Sequence, residues 1–342
     1  MWPASPVPRW FIVDNFFQES IAFDQRRFQA PEKNIYWVQA GEYSKSWHEV
    51  EALLKWMTHS GIGKGDSIAV IGGGTVLDLG LFAAALFQRG TPAWCLPTTL
   101  LAAVDAGIGG KNGVNFLGLK NYIGTITQPQ FIITDANVLH SLSRIDILNG
   151  WMEMAKHALI AEAELWKKMQ GFLRIPSISE MDTLIQAAIT VKTTITKSDE
   201  RETGRRKALN FGHTVAHALE SRAAHLQRNL PHGIAVGLGM MWALQWSARL
   251  TRDSELAAKF RGAALLIASW LESDAGDIVA QTRADFNAEA TWAFMLKDKK
   301  NAAQQVLDVI LEDIGMAAWN RPLTFDVFQS CWIAAFAHDI RG

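Results

Sequence analysis

Two histidines four residues apart, His213 and His217, stand in a run of reactive side chains that extends from Lys207 through Asn210 to Glu220. Residues at i and i+4 share one helix face, so two imidazoles placed there could grip a divalent metal. Arg201, Arg205, Arg206 and Lys207 precede them, and such cations suit a carboxylate or phosphate. A catalytic zinc takes three protein ligands and keeps a further position open. The candidates are His213, His217, His232 and Glu153, the last followed by Lys156 in a segment of helical pattern. Spacing alone favours His213 with His217; the competing reading makes one or both of them satisfied buried histidines.

Two glycine-rich turns bring a second kind of chemistry. The β-rich residues 67–71 run into Gly72, Gly73 and Gly74, and a helical pattern follows over 75–88. Such a turn lets backbone amides approach a pyrophosphate at the start of a helix, although a bare glycine turn also serves simply to reverse the chain. Asp78, one turn into that helix, could accept from a ligand hydroxyl or merely favour the helix dipole. The second element runs from Thr98 and Thr99 through Asp105 to Gly109, Gly110 and Lys111, then Lys120 and Asn121. A lysine directly after two glycines can reach a phosphate that the backbone also contacts; the alternative is a surface loop with solvated lysines.

The elements that must position these groups change character along the chain. Short β-rich runs at 11–13, 34–38, 67–71, 93–96 and 131–134 alternate with helical patterns near 47–58 and 75–88. That alternation predicts βαβ units and a parallel sheet. From about residue 145 the period is helical over 147–170, 179–197, 208–226, 231–250 and 254–272, with one further possible strand at 306–311. The expected architecture is an α/β, Rossmann-like domain over 1–144 followed by a mainly helical domain over 145–342. The 14 tryptophans are spread through the helical segments, where they fill core or a dimer face.

Composition narrows the partners. Thirty-three Lys and Arg against 34 Asp and Glu leave a net charge of −1, so no overall field favours nucleic acid or an anionic membrane, and any anion site is a local pocket. The two cysteines, Cys95 and Cys331, lie far apart in apolar contexts, as a reduced cytoplasmic protein tolerates. The residues before Asp14 lack the basic start and long apolar stretch of a signal peptide, and no apolar run is long enough to span a bilayer. A soluble protein acting on a small molecule is expected.

Taken together, these segments resemble 3-dehydroquinate synthase and its sugar phosphate cyclase relatives, in order and wording, from about Asp14 to Gly315. The resemblance rests on Gly72 to Asp78, Gln88-Arg89-Gly90, Thr98-Thr99 with Asp105 and Gly109-Gly110-Lys111, and Lys120-Asn121. It continues through Glu153 with Lys156, Lys192, Glu202 with Arg206, Asn210 to His213 with His217, His232-Gly233 and Asp298-Lys299-Lys300. It implies that Glu153, His213 and His232 hold a zinc or cobalt ion, which moves His217 from metal ligand to substrate contact. It also implies an NAD over Gly73 and Gly74, with Asp78, Thr98, Thr99 and Lys120 around it and Asp14, Asn15, Glu42 and Lys45 on the adenosine side.

On the same resemblance the substrate is a sugar acid phosphate. Lys111, Asn121, Lys156 and Lys299 or Lys300 face its phosphate, with Arg89 lent by the second subunit of a homodimer. Lys192, Arg206 and Asn210 face its carboxylate and hydroxyls, and Asp105 joins the catalytic set. The implied reaction is cyclisation of 3-deoxy-D-arabino-heptulosonate 7-phosphate to 3-dehydroquinate with loss of phosphate, NAD being reduced and restored within one cycle. The other open readings are a cyclase acting on another sugar phosphate, a metal-dependent polyol dehydrogenase with net NADH production, and a non-catalytic relative. The chain departs from the family at Ile234, where His-Gly-Glu is usual, so a carboxylate that would orient a metal-bound imidazole is expected to be missing. His213→Ala and Lys156→Ala are each expected to abolish turnover with the fold largely intact.

Overall fold

The structure is a computed structural model, and it describes residues 7–18, 31–39, 41–297 and 305–336. The chain divides into two compact units, one ending at Leu142 and the other beginning at Ser143. In the first, strands β1 (Trp10–Asp14), β2 (Ile35–Val38), β3 (Ile68–Gly72), β4 (Ala93–Pro97) and β7 (Phe131–Ile132) form one sheet in the order β2-β1-β3-β4-β7. Every pairing in it is parallel. The strands read as apolar runs because both faces are covered. Ile12, Ile68 and Val70 point into one buried cluster with Leu53, Met57, Leu77 and Phe82. Phe11, Val13, Ala69 and Ile71, the alternate positions, point into the other. Helices α1 (Trp47–His59) and α2 (Gly74–Leu86) supply the first cluster.

Connections from β1 run to β2 on one side, while those from β3 run through β4 towards β7 on the other. The direction in which successive strands are added therefore reverses between β1 and β3, and the crevice at the carboxyl ends of those two strands is where open parallel sheets take ligands. Asp14 closes β1 there and Gly72 closes β3. The glycine-rich stretch after Gly109 was not legible as strand, yet β5 (Lys111–Phe116) and β6 (Leu119–Ile126) form an antiparallel hairpin. Its two-residue turn, Leu117 and Gly118, has φ of 50° and 77°, the left-handed pair that suits a twisted hairpin. Lys, Asn and Gly along β5 hide the usual alternation of apolar and polar residues. A short helix, α3 (Ala136–Leu139), follows β7.

The second unit is built on helices α4 (Arg144–Ala161), α5 (Ala163–Met169), α6 (Asp182–Ser198), α7 (His213–His225), α8 (His232–Leu250), α9 (Ser254–Asp285), α10 (Ala288–Lys297) and α11 (Phe325–Phe336). A hairpin, β8 (Val306–Asp313) with β9 (Met316–Leu323), precedes α11. Helix α8 is buried on nearly every side from Gly233 to Trp246, which makes it the central helix, packed by α4, α7, α9 and α11. Several tryptophans fill this core: Trp151 and Trp166 meet Trp270 edge-on, and Trp242 packs at a tilt against Phe328. The predicted helix 147–170 is two helices, broken at Glu162 where φ is −147°. The predicted helix 208–226 starts only at His213, because Gly212 is left-handed and 205–210 is a tighter 3-10 turn. Both cysteines are buried free thiols, and no described helix is long and apolar enough to cross a membrane.

Candidate functional site

Three helices of the second unit bring Glu153, His213 and His232 together. Glu153 sits in the middle of α4 and is fully buried, while His213 and His232 are the first residues of α7 and α8. Close backbone approach makes this possible. A Cβ on Gly233 would stand 2.4 Å from Asn149 of α4, and one on Gly239 would stand 1.9 Å from the Gly212 carbonyl oxygen. The Gly233 amide also donates to Asn149 Oδ1 at 2.9 Å, which ties the start of α8 to α4.

The ligand atoms face one point. Glu153 Oε1 lies 3.6 Å from His213 Nε2 and 3.4 Å from His232 Nε2, and one ligand atom from each of the three residues lies within 4.8 Å of the others. Ligands about 2.1 Å from a tetrahedral metal are about 3.4 Å apart, so these edges have the size that a zinc or cobalt ion requires. Two imidazole nitrogens and one carboxylate are also the donor set of a catalytic rather than a closed structural site. His217 is not in this group; its ring stands edge-on to His213 with centroids 5.5 Å apart. His213 Nδ1 faces the Phe211 carbonyl oxygen at 3.3 Å, which leaves Nε2 for the site.

Charge in the pocket is arranged around the carboxylate. Lys156, one turn along α4 and itself buried, forms an ion pair with Glu153. Burial, and then the Lys156 charge, hold His213 well below the ordinary imidazole range, so it stands neutral and ready to bind a cation. Burial also pulls His232 down, but the carboxylates of Glu153 and Glu220 outweigh it and push His232 up to about 10. Glu220 Oε1 lies 3.4 Å from His232 Nδ1. Sequence reading assigned Glu220 no role, although it lies seven residues from His213 and hence on the same helix face. Ile234, by contrast, is wholly buried and two residues along α8 from His232, on a different face. Position 234 thus carries no carboxylate, while that of Glu220 stands beside His232 from another helix.

The other polar candidates of this unit are held in place by local bonds. Arg206 is buried and donates from Nη1 to the Glu200 carbonyl oxygen at 2.7 Å. Its loop is organised by Asp199, which accepts from the amides of Thr203, Gly204 and Arg206. Partial desolvation raises the Asp199 pKa, and those bonds more than offset it, bringing it to about 2. Asn210 donates to Glu202 Oε1 at 2.6 Å, and Lys192 is buried in α6. Asp298, Lys299 and Lys300 lie outside the described residues.

In the first unit the carboxyl ends of the central strands collect the nucleotide candidates. Asp14 ends β1, with Asn15 next to it, and Gly72, Gly73 and Gly74 follow β3. Gly73 caps α2 without a side chain, so first-turn amides point outward where an anion can accept from them. A Cβ on Gly73 would stand 3.1 Å from Thr99 Cγ2, which shows how close Thr99 comes to the turn. Thr98 joins it through its amide, donating to the Gly72 carbonyl oxygen at 2.9 Å. Asp78 pairs with Lys45, and Glu42 accepts from Asn115 Nδ2 at 2.8 Å and from Thr75 Oγ1 at 3.3 Å. Glu42, Lys45 and Asp78 thus share one region, as sequence order alone could not show. Burial pushes Asp78 up to about 6 in spite of the adjacent Lys45.

The remaining candidates of the unit lie on the β5–β6 hairpin, in the turn before it and beyond α2. Lys111 is exposed at the open end of the β5–β6 hairpin, paired with Ile126, while Lys120 and Asn121 are exposed near its turn. Asn121 has φ of 50° and donates its amide to Asn115 Oδ1 at 2.9 Å. Asp105 is half-buried in a wide helical turn, Ala102–Ala106. Arg89 is exposed beyond the far end of α2, about 18 Å of helix from the glycine turn, and has φ of 69°.

Comparison with known proteins gives a consistent picture. The family model described as 3-dehydroquinate synthase N-terminal matches residues 35–149, and the one described as 3-dehydroquinate synthase C-terminal matches 150–301. The chain is 35% identical over 283 residues to the 3-dehydroquinate synthase of Bartonella bacilliformis, covering 82% of this chain and 74% of that one. It is 37% identical over 214 residues to that of Parabacteroides distasonis, covering 62% of this chain and 61% of the relative. Among solved structures, 2-epi-5-epi-valiolone synthase from Streptomyces hygroscopicus subsp. jinggangensis, with NAD+ and Zn2+ bound, superposes with a TM-score of 0.79 at 22% identity, covering 97% and 91% of the two chains. A 2-deoxy-scyllo-inosose synthase complexed with carbaglucose-6-phosphate, NAD+ and Co2+ gives 0.76 at 19% identity, covering 96% and 91%. At these identities the likeness to the solved structures is one of fold.

Proposed function

Because the chain belongs to the 3-dehydroquinate synthase family, we propose that it cyclises 3-deoxy-D-arabino-heptulosonate 7-phosphate to 3-dehydroquinate with release of phosphate. The observation that carries the reading is the cluster of Glu153, His213 and His232, whose ligand atoms have metal-sized separations. Bound there, a divalent ion supplies Lewis acidity to the reacting carbon's hydroxyl, and NAD supplies a hydride acceptor that is restored within the cycle. The two cyclases of like fold carry NAD+ with Zn2+ or Co2+ in their structures.

The chain's own residues divide the work. Glu153, His213 and His232 hold the cation, and Lys156 balances the buried carboxylate while offering a positive charge to the substrate. Lys192, Arg206 and Asn210 are assigned to the substrate's carboxylate and hydroxyls, with His217 beside them. An anion with a carboxylate at one end and a phosphate at the other needs separate cations for each. The phosphate is assigned to Lys111, Asn121 and Lys299, with Arg89 contributed by a second copy in a homodimer and Asp105 in the same catalytic set. Asp14, Asn15, Glu42, Lys45, Gly73, Gly74, Asp78, Thr98, Thr99 and Lys120 are assigned to NAD. Residues 1–144 then form the NAD-binding domain and 145–342 the metal- and substrate-binding domain. A cytoplasmic address, with neither nucleic acid nor membrane as partner, fits the net charge of −1 and the two free thiols.

The test is incubation of the purified protein with the heptulosonate phosphate, NAD and Zn2+ or Co2+. Phosphate release with a flat nicotinamide absorbance is the expected result. Release from a different sugar phosphate only, or steady accumulation of NADH, overturns the proposal.

A further inference from the structure

We propose that Glu220 is a positioning residue for the metal site: its carboxylate holds the Nδ1–H of His232 and so turns Nε2 of that ring towards the cation. The inference rests on reading Glu153, His213 and His232 as the metal ligands. Glu220 Oε1 lies 3.4 Å from His232 Nδ1, and the opposite ring nitrogen lies 3.4 Å from Glu153 Oε1. One imidazole is thereby strung between two carboxylates, one on the metal side and one behind it. Only the tautomer with its hydrogen on Nδ1 leaves Nε2 free as a donor to the cation.

The placement follows from the fold. Glu220 lies two turns along α7 from His213, on the same face, so a single helix supplies one ligand and the orienting partner of another. The side chains of Glu220 and His232 are 12% and 32% accessible, so Glu220 is shielded enough for its charge to act on the ring without full solvent screening. The two histidines are oriented by different devices, since His213 Nδ1 faces the backbone oxygen of Phe211. A carboxylate polarises a ligand imidazole more strongly than a carbonyl does, which makes His232 the more strongly donating of the pair. Ile234 cannot act in its place, because it is wholly buried on a different face of α8.

The experiment is competition for Zn2+ and Co2+ between a chromophoric chelator and the metal-free protein, in wild type and in E220A, E220Q and E220D. We expect E220A to weaken metal binding roughly 10- to 100-fold, E220Q to fall between it and wild type, and E220D to recover most of the affinity. The visible spectrum of bound Co2+ should change in E220A and return towards wild type in E220D, which a purely structural role would not produce. If E220A does not fold, the isosteric E220Q decides. Binding by a folded E220A and by E220Q within about twofold of wild type overturns the proposal, as does an unchanged Co2+ spectrum. Failure of wild type to take up one ion, or H213A binding as tightly as wild type, instead sinks the metal-site assignment itself.

Discussion

At the scale of single residues, burial decides what a substitution costs. Lys156 and Glu153 form an ion pair with side chains 1% and 0% accessible. Sequence reading expected Lys156→Ala to spare the fold, but removing one partner of a buried pair strands the other charge, at a cost of about 3 to 5 kcal/mol. The expected outcome is loss of turnover together with a lower denaturation midpoint in the metal-free protein, and a smaller drop once Zn2+ gives Glu153 a new cation. Equal destabilisation with and without metal would contradict this. Asp78 offers a test by pH. Its pKa of about 6 exceeds its ordinary 3.8, so between those values the folded state binds more protons than the unfolded state. Stability from this group is therefore present below pH 4 and lost as pH rises through 6. Asp78→Asn should flatten that part of the stability profile relative to wild type, as read by urea denaturation at pH 4.5, 5.5 and 7.

At the scale of elements, local pattern was readable where a helix or strand buries a regular face, and unreadable where it does not. β1, β3 and β4 announce themselves as apolar runs because the sheet is covered on both sides. The β5–β6 hairpin does not, since its glycines and asparagines carry no alternation and its register comes from pairing across the turn. The start of α7 was misplaced for a related reason: Gly212, at φ 77°, ends the preceding 3-10 turn in a conformation that only the packing against α8 explains. That packing is testable. Gly239→Ala would put a methyl 1.9 Å from the Gly212 carbonyl oxygen, so α7 and α8 must separate. We expect a loss of about 1 to 3 kcal/mol or more in stability, and weaker metal binding because His213 and His232 move apart. A variant with wild-type melting temperature and metal affinity would refute the role given to this contact.

At the scale of the molecule, the second unit carries a buried carboxylate and two histidines whose ligand atoms are grouped closely enough to hold a cation. A ligand that binds only the folded state raises stability with the logarithm of its concentration, by about 2.7 kcal/mol at a hundredfold excess over Kd. Chelation should therefore lower the melting temperature, and added Zn2+ or Co2+ should restore it in a concentration-dependent way; a melting temperature indifferent to both would contradict the assignment. The amino-acid sequence by itself determined the class of fold, the glycine turn after β3 and the four candidate ligands Glu153, His213, His217 and His232, because residue type and short-range period are local properties. Spacing alone favoured His217 beside His213 and the family resemblance favoured His232; the tertiary structure is what brings the His232 ring to Glu153 together with that of His213. An i, i+4 spacing measures distance along one helix, whereas His232 arrives from another helix through backbone contacts at Gly233 and Gly239. The same contacts explain why Ile234 does not leave His232 unsupported: orientation of the ring depends on what stands behind it in space, and that residue is Glu220.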